Sequence, residues 1–333
     1  MNKAKIKGIS YYLPENILDN VELNNSFPEW SVDKISSKTG IFKRHIAGED
    51  EFTSDMAIKA SEKLFNEYNI DPKEIDFILL CTQSPDYFLP TTACLVQDKL
   101  GIPTTAGALD FNLGCSGYVY GLAIAKGLIN SNIAKNILLI TSETYSKFIH
   151  PKDKSNKTIF GDAAAATLIS DNGFAEILDF ELGTDGKGGN NLIVKNGASK
   201  HPSRCGIDVT DEYNNVLNEN NLYMNGPEIF SFTSESIPPL VHKTLNKHNI
   251  NINDVDLFVL HQANKFILNQ LRKKLGIPEE KFYIHVENCG NTVSSTIPIA
   301  LKEAIKENKV VGNVLLAGFG VGYSWGSCIL KIN

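Results

Sequence analysis

Cysteine is scarce in this chain. Six occur in 333 residues, at positions 81, 94, 115, 205, 289 and 328, and none form a CxxC pair. That excludes a disulfide scaffold and argues against a structural zinc site. No stretch nears the roughly 18–20 apolar residues of a membrane span. The lysines of the opening MNKAKIKGISYYLPEN precede no long apolar run, so no secretory signal is expected. A basic excess is lacking too: 32 Lys and Arg stand against 38 Asp and Glu, a net charge of −6. A nucleic-acid binder driven by a global basic field is thereby disfavoured, although a local basic patch is still allowed. No Pro/Ser-rich linker or low-complexity tract divides the chain. What is present is an ordinary globular composition, 42% hydrophobic and 21% charged. The expected setting is a reducing compartment, the cytoplasm, where a lone cysteine is either a small core residue or a nucleophile.

The two halves echo each other. LGIP occurs at Leu100–Pro103 and again at Leu275–Pro278. Before the copies lie IDFILLC, ending at Cys81, and VDLFVLH, ending at His261. After them come AGALDFNL and FYIHVEN, each running into a glycine turn, at Gly114-Cys115 and at Gly290-Asn291. Helical patterns follow (SGYVYGLAIAKGLI, STIPIALKEAIKEN), then two strand-like runs in each half. Alternating β and α elements imply mostly parallel sheets covered by helices. The expectation is a duplicated α/β chain, divided into residues 1–172 and 173–333, with its halves face to face about a pseudo-twofold axis.

Duplication gives three residues a shared destination. Cys115 and Asn291 each sit where a strand turns into a helix, and His261 ends a neighbouring strand. The axis would bring them to one pocket at strand C-termini. Cys115, flanked by Gly114 and Gly117, lies at a helix start, whose dipole would lower the thiol pKa and whose N–H could serve an oxyanion. The blander readings are a core cysteine, a satisfied core histidine and an N-cap asparagine; the shared topology favours function. The glycine-rich AGFGVGYSWG runs into a terminal strand, not a helix, so it is no dinucleotide fingerprint. It is expected to line the pocket with backbone. Gly161-Asp162 reads as a structural turn.

The opening IKGISYYLPEN, KTGIFKRHI, GCSGYVYGL, IFGDAAAATLI, HQANKFIL, GNTVSSTIPIAL and GFGVGYSWGS together resemble the β-ketoacyl-acyl-carrier-protein synthase III group of the thiolase superfamily. The resemblance implies a five-layered αβαβα fold, a homodimer, and no metal or cofactor. It implies that Cys115 takes an acyl group from an acyl-CoA or acyl carrier protein. Malonyl carrier protein then loses carbon dioxide, with His261 and Asn291 donating to its thioester oxygen. The backbone at Cys115 and Val321 would hold the tetrahedral oxyanion. Gly320 would line the pocket, and Phe319 would shield the thiol. A neutral asparagine suits decarboxylation because it adds no negative charge beside an enolate.

The departures concern substrate recognition. The family's tryptophan and arginine before TGI, associated with the CoA nucleotide, are replaced here; Lys34 and Lys38 are nearest, and Trp30 lies upstream. Lys154 stands where an arginine often does and would meet a phosphate. Phe266 replaces an arginine after HQAN. Asn264, Lys265, Arg272, Lys273 and Lys274 form the candidate patch for an acidic carrier, although basic residues at a helix end are as readily a solvated face. Val321 replaces a frequent glycine. Leu89 matches a position that closes the acyl pocket across a dimer. The rival readings are an acyltransferase delivering to an amine or alcohol, a papain-like hydrolase and a non-catalytic scaffold. No nucleic acid or membrane partner is expected.

Overall fold

Apolar runs buried on both faces need cover on both faces. In the computed structural model, which describes residues 3–212 and 214–332, that cover is built twice. The main strands are β1 (Lys5–Tyr12), β2 (Phe77–Cys81), β3 (Gly107–Phe111), β4 (Ile137–Glu143), β5 (Ala163–Ser170), β6 (Ala175–Thr184), β7 (Leu257–Leu260), β8 (Asn313–Gly320) and β9 (Ser324–Ile332). The helices that matter here are α1 (Thr53–Tyr68), α2 (Thr92–Lys99), α3 (Gly117–Asn130), α4 (Gly226–Lys247), α5 (Lys265–Lys274) and α6 (Thr296–Lys306).

The first five strands lie in the order β3-β2-β4-β5-β1, and the rest continue as β6-β9-β8-β7. β2 pairs parallel with β3 and β4, then β5 pairs antiparallel with β4 and with β1. β7 pairs parallel with β8, then β9 pairs antiparallel with β8 and with β6. The second series repeats the first. The seam between them is two residue pairs, Lys5–Glu176 and Ile6–Ala175.

Strand period then sorts the side chains into layers. In β4, Ile137 and Leu139 face a central core, and Leu138 and Ile140 face an outer one beneath α1 and α2. In β8, Val314 and Leu316 face the same central core, while Leu315 and Ala317 face a second outer core beneath α4 and α5. Helices α3 and α6 fill the centre: α3 touches β2 and β4 on one side and β6, β8 and β9 on the other. The result is five layers, αβαβα.

One expected strand is missing. FYIHVEN makes only a single parallel bridge, Phe258 to Phe282. Beyond it the Gln262 side chain stands in for a neighbouring strand. Its amide nitrogen donates to Leu260 O (2.6 Å) and Tyr283 O (3.2 Å), and its oxygen accepts from His285 N (2.6 Å). An apolar run predicts a strand but carries no sign that one side chain will satisfy its backbone.

The central layer should dominate stability. Leu301→Ala, on α6 and fully buried, is expected to cost about 2–5 kcal/mol in denaturant unfolding, against less than about 0.5 for Ile133→Ala on the surface.

Candidate active site

Cys115 follows β3 by a short turn and precedes α3. Strand β8, from the other half, runs against that turn. A Cβ on Gly318 would lie 2.8 Å from Cys115 O and from Ser116 Cα; one on Gly320 would lie 3.0 Å from Cys115 Sγ. Glycine at both places lets the two halves meet at Cys115. The thiol is 5% exposed. The expected dipole-lowered pKa is not what the site gives. Burial pushes the thiol up to about 12, and the nearby Glu143 carboxyl adds to the rise. A helix start does not offset loss of solvent on this scale.

Asn291 is held by its backbone, donating to Ile159 O (3.0 Å) and accepting from Gly161 N (3.0 Å). Its side-chain oxygen accepts from Val293 N (2.9 Å), which leaves the two Nδ2 hydrogens for a ligand. Gly290 before it sits at φ +69, and a Cβ there would lie 2.8 Å from Ile159 O. His261 is buried and bonded through Nδ1 to Thr296 Oγ1 at 2.7 Å. Burial pushes the imidazole down to about 3, so it is neutral at working pH. Thr296 Oγ1 also lies 3.1 Å from Val293 O. If its proton points to Nδ1, the ring carries Nε2–H, a donor. If it points to Val293, Nδ1 is protonated and Nε2 is a lone pair able to accept the thiol proton. Phe319 meets the ring edge-on, with centroids 5.4 Å apart.

Cys115, His261, Asn291, Phe319, Gly320 and Asn264 line one cavity of about 390 Å³, walled otherwise by apolar side chains including Phe230 and Phe266. Other expected residues lie elsewhere. Val321 lines a different cavity, and Leu89, 82% exposed, lines neither of these two. Lys154 is buried and paired with Glu29 at 2.6 Å, so its charge is already met. Lys38 stands 5.7 Å from the Trp30 ring centroid, with Lys34 at 5.2 Å. Lys265 pairs with Glu287, Arg272 with Glu279, and Lys274 donates to Ser234 O. Lys273 is exposed. Two of these four cations, Lys265 at the start of α5 and Arg272 in its last turn, are therefore met by carboxylates within the chain. Asn264 caps α5 by accepting from Ile267 N (2.9 Å). Gly161-Asp162 is structural as expected: the buried carboxylate accepts from Ala47 N and Ser146 N.

With this geometry in view, the chain can be set against known proteins. Residues 109–186 match the family 3-oxoacyl-[acyl-carrier-protein (ACP)] synthase III, and residues 245–332 match its C-terminal counterpart. A Clostridium perfringens protein named beta-ketoacyl-[acyl-carrier-protein] synthase III is 39% identical over the full length of both chains. The chain belongs to this synthase III family. A crystal structure of a 3-oxoacyl-(acyl-carrier-protein) synthase III superposes with a TM-score of 0.97 at 46% identity, covering 99% of this chain and 100% of that one. The Burkholderia xenovorans enzyme gives 0.92 at 35%, covering 99% and 94%. As a synthase III the chain is a condensing, acyl-transferring enzyme of the thiolase fold. Among the described residues no cluster of His, Cys, Asp and Glu could hold a metal, and no helix is long and apolar enough to cross a membrane.

Two site residues escaped the sequence reading. Thr296 lies in the helical pattern after Asn291 and looks like any helix-start threonine. Glu143 left a trace, as an acid ending the apolar run ILLITSE. It is fully buried and accepts from Gln83 N (3.0 Å), Ser84 Oγ (3.2 Å) and Ser294 Oγ (2.9 Å).

A thiol held near 12 has a thiolate fraction that climbs with pH throughout the working range. Alkylation of Cys115 by iodoacetamide, followed by intact mass with Cys115→Ala as control, should accelerate about tenfold per pH unit from 6 to 9. A plateau near neutrality would instead show a thiolate paired with protonated His261.

Proposed function

We propose that this synthase III runs a two-stage decarboxylating condensation on Cys115. In the first stage Sγ attacks an acyl thioester of CoA or carrier protein. The acyl–sulfur bond to the donor breaks, and the Cys115 proton passes to the departing thiol. In the second stage malonyl carrier protein enters the cavity of His261 and Asn291 and loses carbon dioxide. Its enolate oxygen receives hydrogen bonds from His261 Nε2–H and Asn291 Nδ2–H. The carbanion attacks the acyl carbon, Cys115 leaves as thiolate, and a proton from water restores the thiol. The N–H groups of Cys115 and of the turn at Val321 serve the tetrahedral oxyanion. Phe319, buried beside His261, keeps water from the acyl-enzyme.

The observation that carries this reading is the orientation of Asn291. Val293 N–H occupies the amide oxygen, so donors alone face the cavity shared with a neutral histidine. Such a site stabilises a developing enolate without placing any full charge beside it.

The wider reading follows the same support. The halves divide at residues 172 and 173, between β5 and β6. The exposed Tyr87, Phe88 and Leu89 favour contact with a second copy of the chain in a homodimer. Six free cysteines suit the cytoplasm.

Asn291→Asp separates the two stages. Acylation of Cys115, read by intact mass with an acyl-CoA panel, should stay within a few-fold. Carbon dioxide release from malonyl carrier protein should fall by at least about 100-fold, because a carboxylate replaces a donor beside the enolate. Equal loss in both stages would sink the assignment of Asn291. Acylation of the unaltered enzyme without condensation would point to delivery to an amine or alcohol.

A further inference from the structure

We infer that the acyl group taken by Cys115 carries an oxygen function a few carbons from its thioester, held by Gln83, Asn112 and Tyr145. This rests on the proposed role of Cys115. At condensation the acyl-cysteine and the second thioester are present together. The cavity of His261 and Asn291 is taken by the second thioester, so the acyl tail needs separate room. A second cavity of about 820 Å³ shares the wall residue Leu192 with the first. Cys115, Tyr145 and Leu192 belong to one buried cluster, with Val321 packed against it.

Gly114, next to the nucleophile, gives the scale. A Cβ on it would lie 2.7 Å from Gln83 Oε1 and 2.7 Å from Val321 Cγ1. Adding the spacing of adjacent Cα atoms, the Gln83 oxygen stands within about 8 Å of Cys115 Cα. That is within reach of a substituted short acyl chain. The polar groups there form a relay: Tyr145 Oη donates to Gln83 Oε1 (3.1 Å), and Gln83 Nε2 donates to Asn112 Oδ1 (3.0 Å). All three side chains line the second cavity. The relay uses one of the two Gln83 amide hydrogens and neither of those on Asn112. Among the described residues the unused hydrogens have no acceptor. Asn112 is exposed, but Gln83 is half-buried, and a plain alkyl tail laid over it would strip the water from its free hydrogen and return nothing. A hydroxyl or carbonyl oxygen would accept from it. The same logic makes polar recognition more discriminating than an apolar pocket.

The test compares butyryl-CoA with 3-hydroxybutyryl-, 3-oxobutyryl- and 4-hydroxybutyryl-CoA, scoring the acylation rate of Cys115 by intact mass. At least one oxygenated donor should exceed butyryl by about tenfold or more. Gln83→Leu should bring the ratio of the oxygenated donor to butyryl down to about one. Tyr145→Phe, which keeps the ring, should reduce the preference and so guards against misfolding of the first variant. Butyryl matching or exceeding every oxygenated donor in the unaltered enzyme overturns this inference alone. So do variants that slow all donors equally. If no donor, of any kind, acylates Cys115, the role of the cysteine falls and the inference falls with it.

Discussion

The site hangs on the backbone of one residue. Val293 is β-branched and fully buried, yet it sits at φ 56, a left-handed conformation that such side chains avoid. Strain of that kind costs on the order of 1–3 kcal/mol and persists only where its surroundings hold it. In that conformation its N–H fixes the Asn291 amide, and its C=O lies beside the Thr296 hydroxyl that holds His261. Its side chain packs in the cluster that contains Cys115. One strained peptide therefore fixes the Asn291 donor, borders the hydroxyl that holds His261 and walls the pocket at Cys115.

That peptide sits where it does because the fold is doubled. Cys115 follows β3, and Asn291 follows the stretch at Phe282 that takes the place of β3 in the second half. Cys81 ends β2, and His261 follows β7. β4 ends in Glu143, and β8 ends in Phe319-Gly320. Equivalent positions have been given different chemistry, and Gly318 and Gly320 allow the halves to approach closely enough for it to be pooled. Cys81 shows the contrast: its thiol donates to Leu113 O at 3.0 Å and packs beneath Gly117, a structural counterpart to His261.

How much of this was legible follows from the range of each interaction. That Cys115, His261 and Asn291 share one cavity could be expected because their strand, turn and helix contexts are local and occur twice. The lysines expected to bind substrate could not be judged in the same way. Lys154 meets Glu29 across 125 positions of sequence, and Lys274 meets Ser234 across 40. Such pairings leave no local pattern. The thiol's acidity was misjudged for a related reason: a helix start is visible in sequence, whereas the depth of burial is a property of the assembled layers. The Gln83, Asn112 and Tyr145 relay draws on three separate segments, each unremarkable alone.

The electrostatics of the assembled pocket follow from the same depth. Burial keeps the His261 imidazole neutral and the Cys115 thiol protonated. It also lifts the Glu143 carboxyl to about 8, outweighing the hydrogen bonds from Gln83, Ser84 and Ser294 that favour its ionised form. Near neutral pH the resting site therefore carries little net charge from any of these three groups. The first full negative charge to develop there is the one made by the reaction. Fixed neutral donors in a dry cavity are strongest against such a charge, because they need no reorganisation and no water competes for it. Ionised Glu143 would oppose both steps, by raising the thiol further and by repelling the enolate. Its burial, where the end of β4 meets the loop after β2 and the Asn291 turn, thus serves the chemistry as well as the packing.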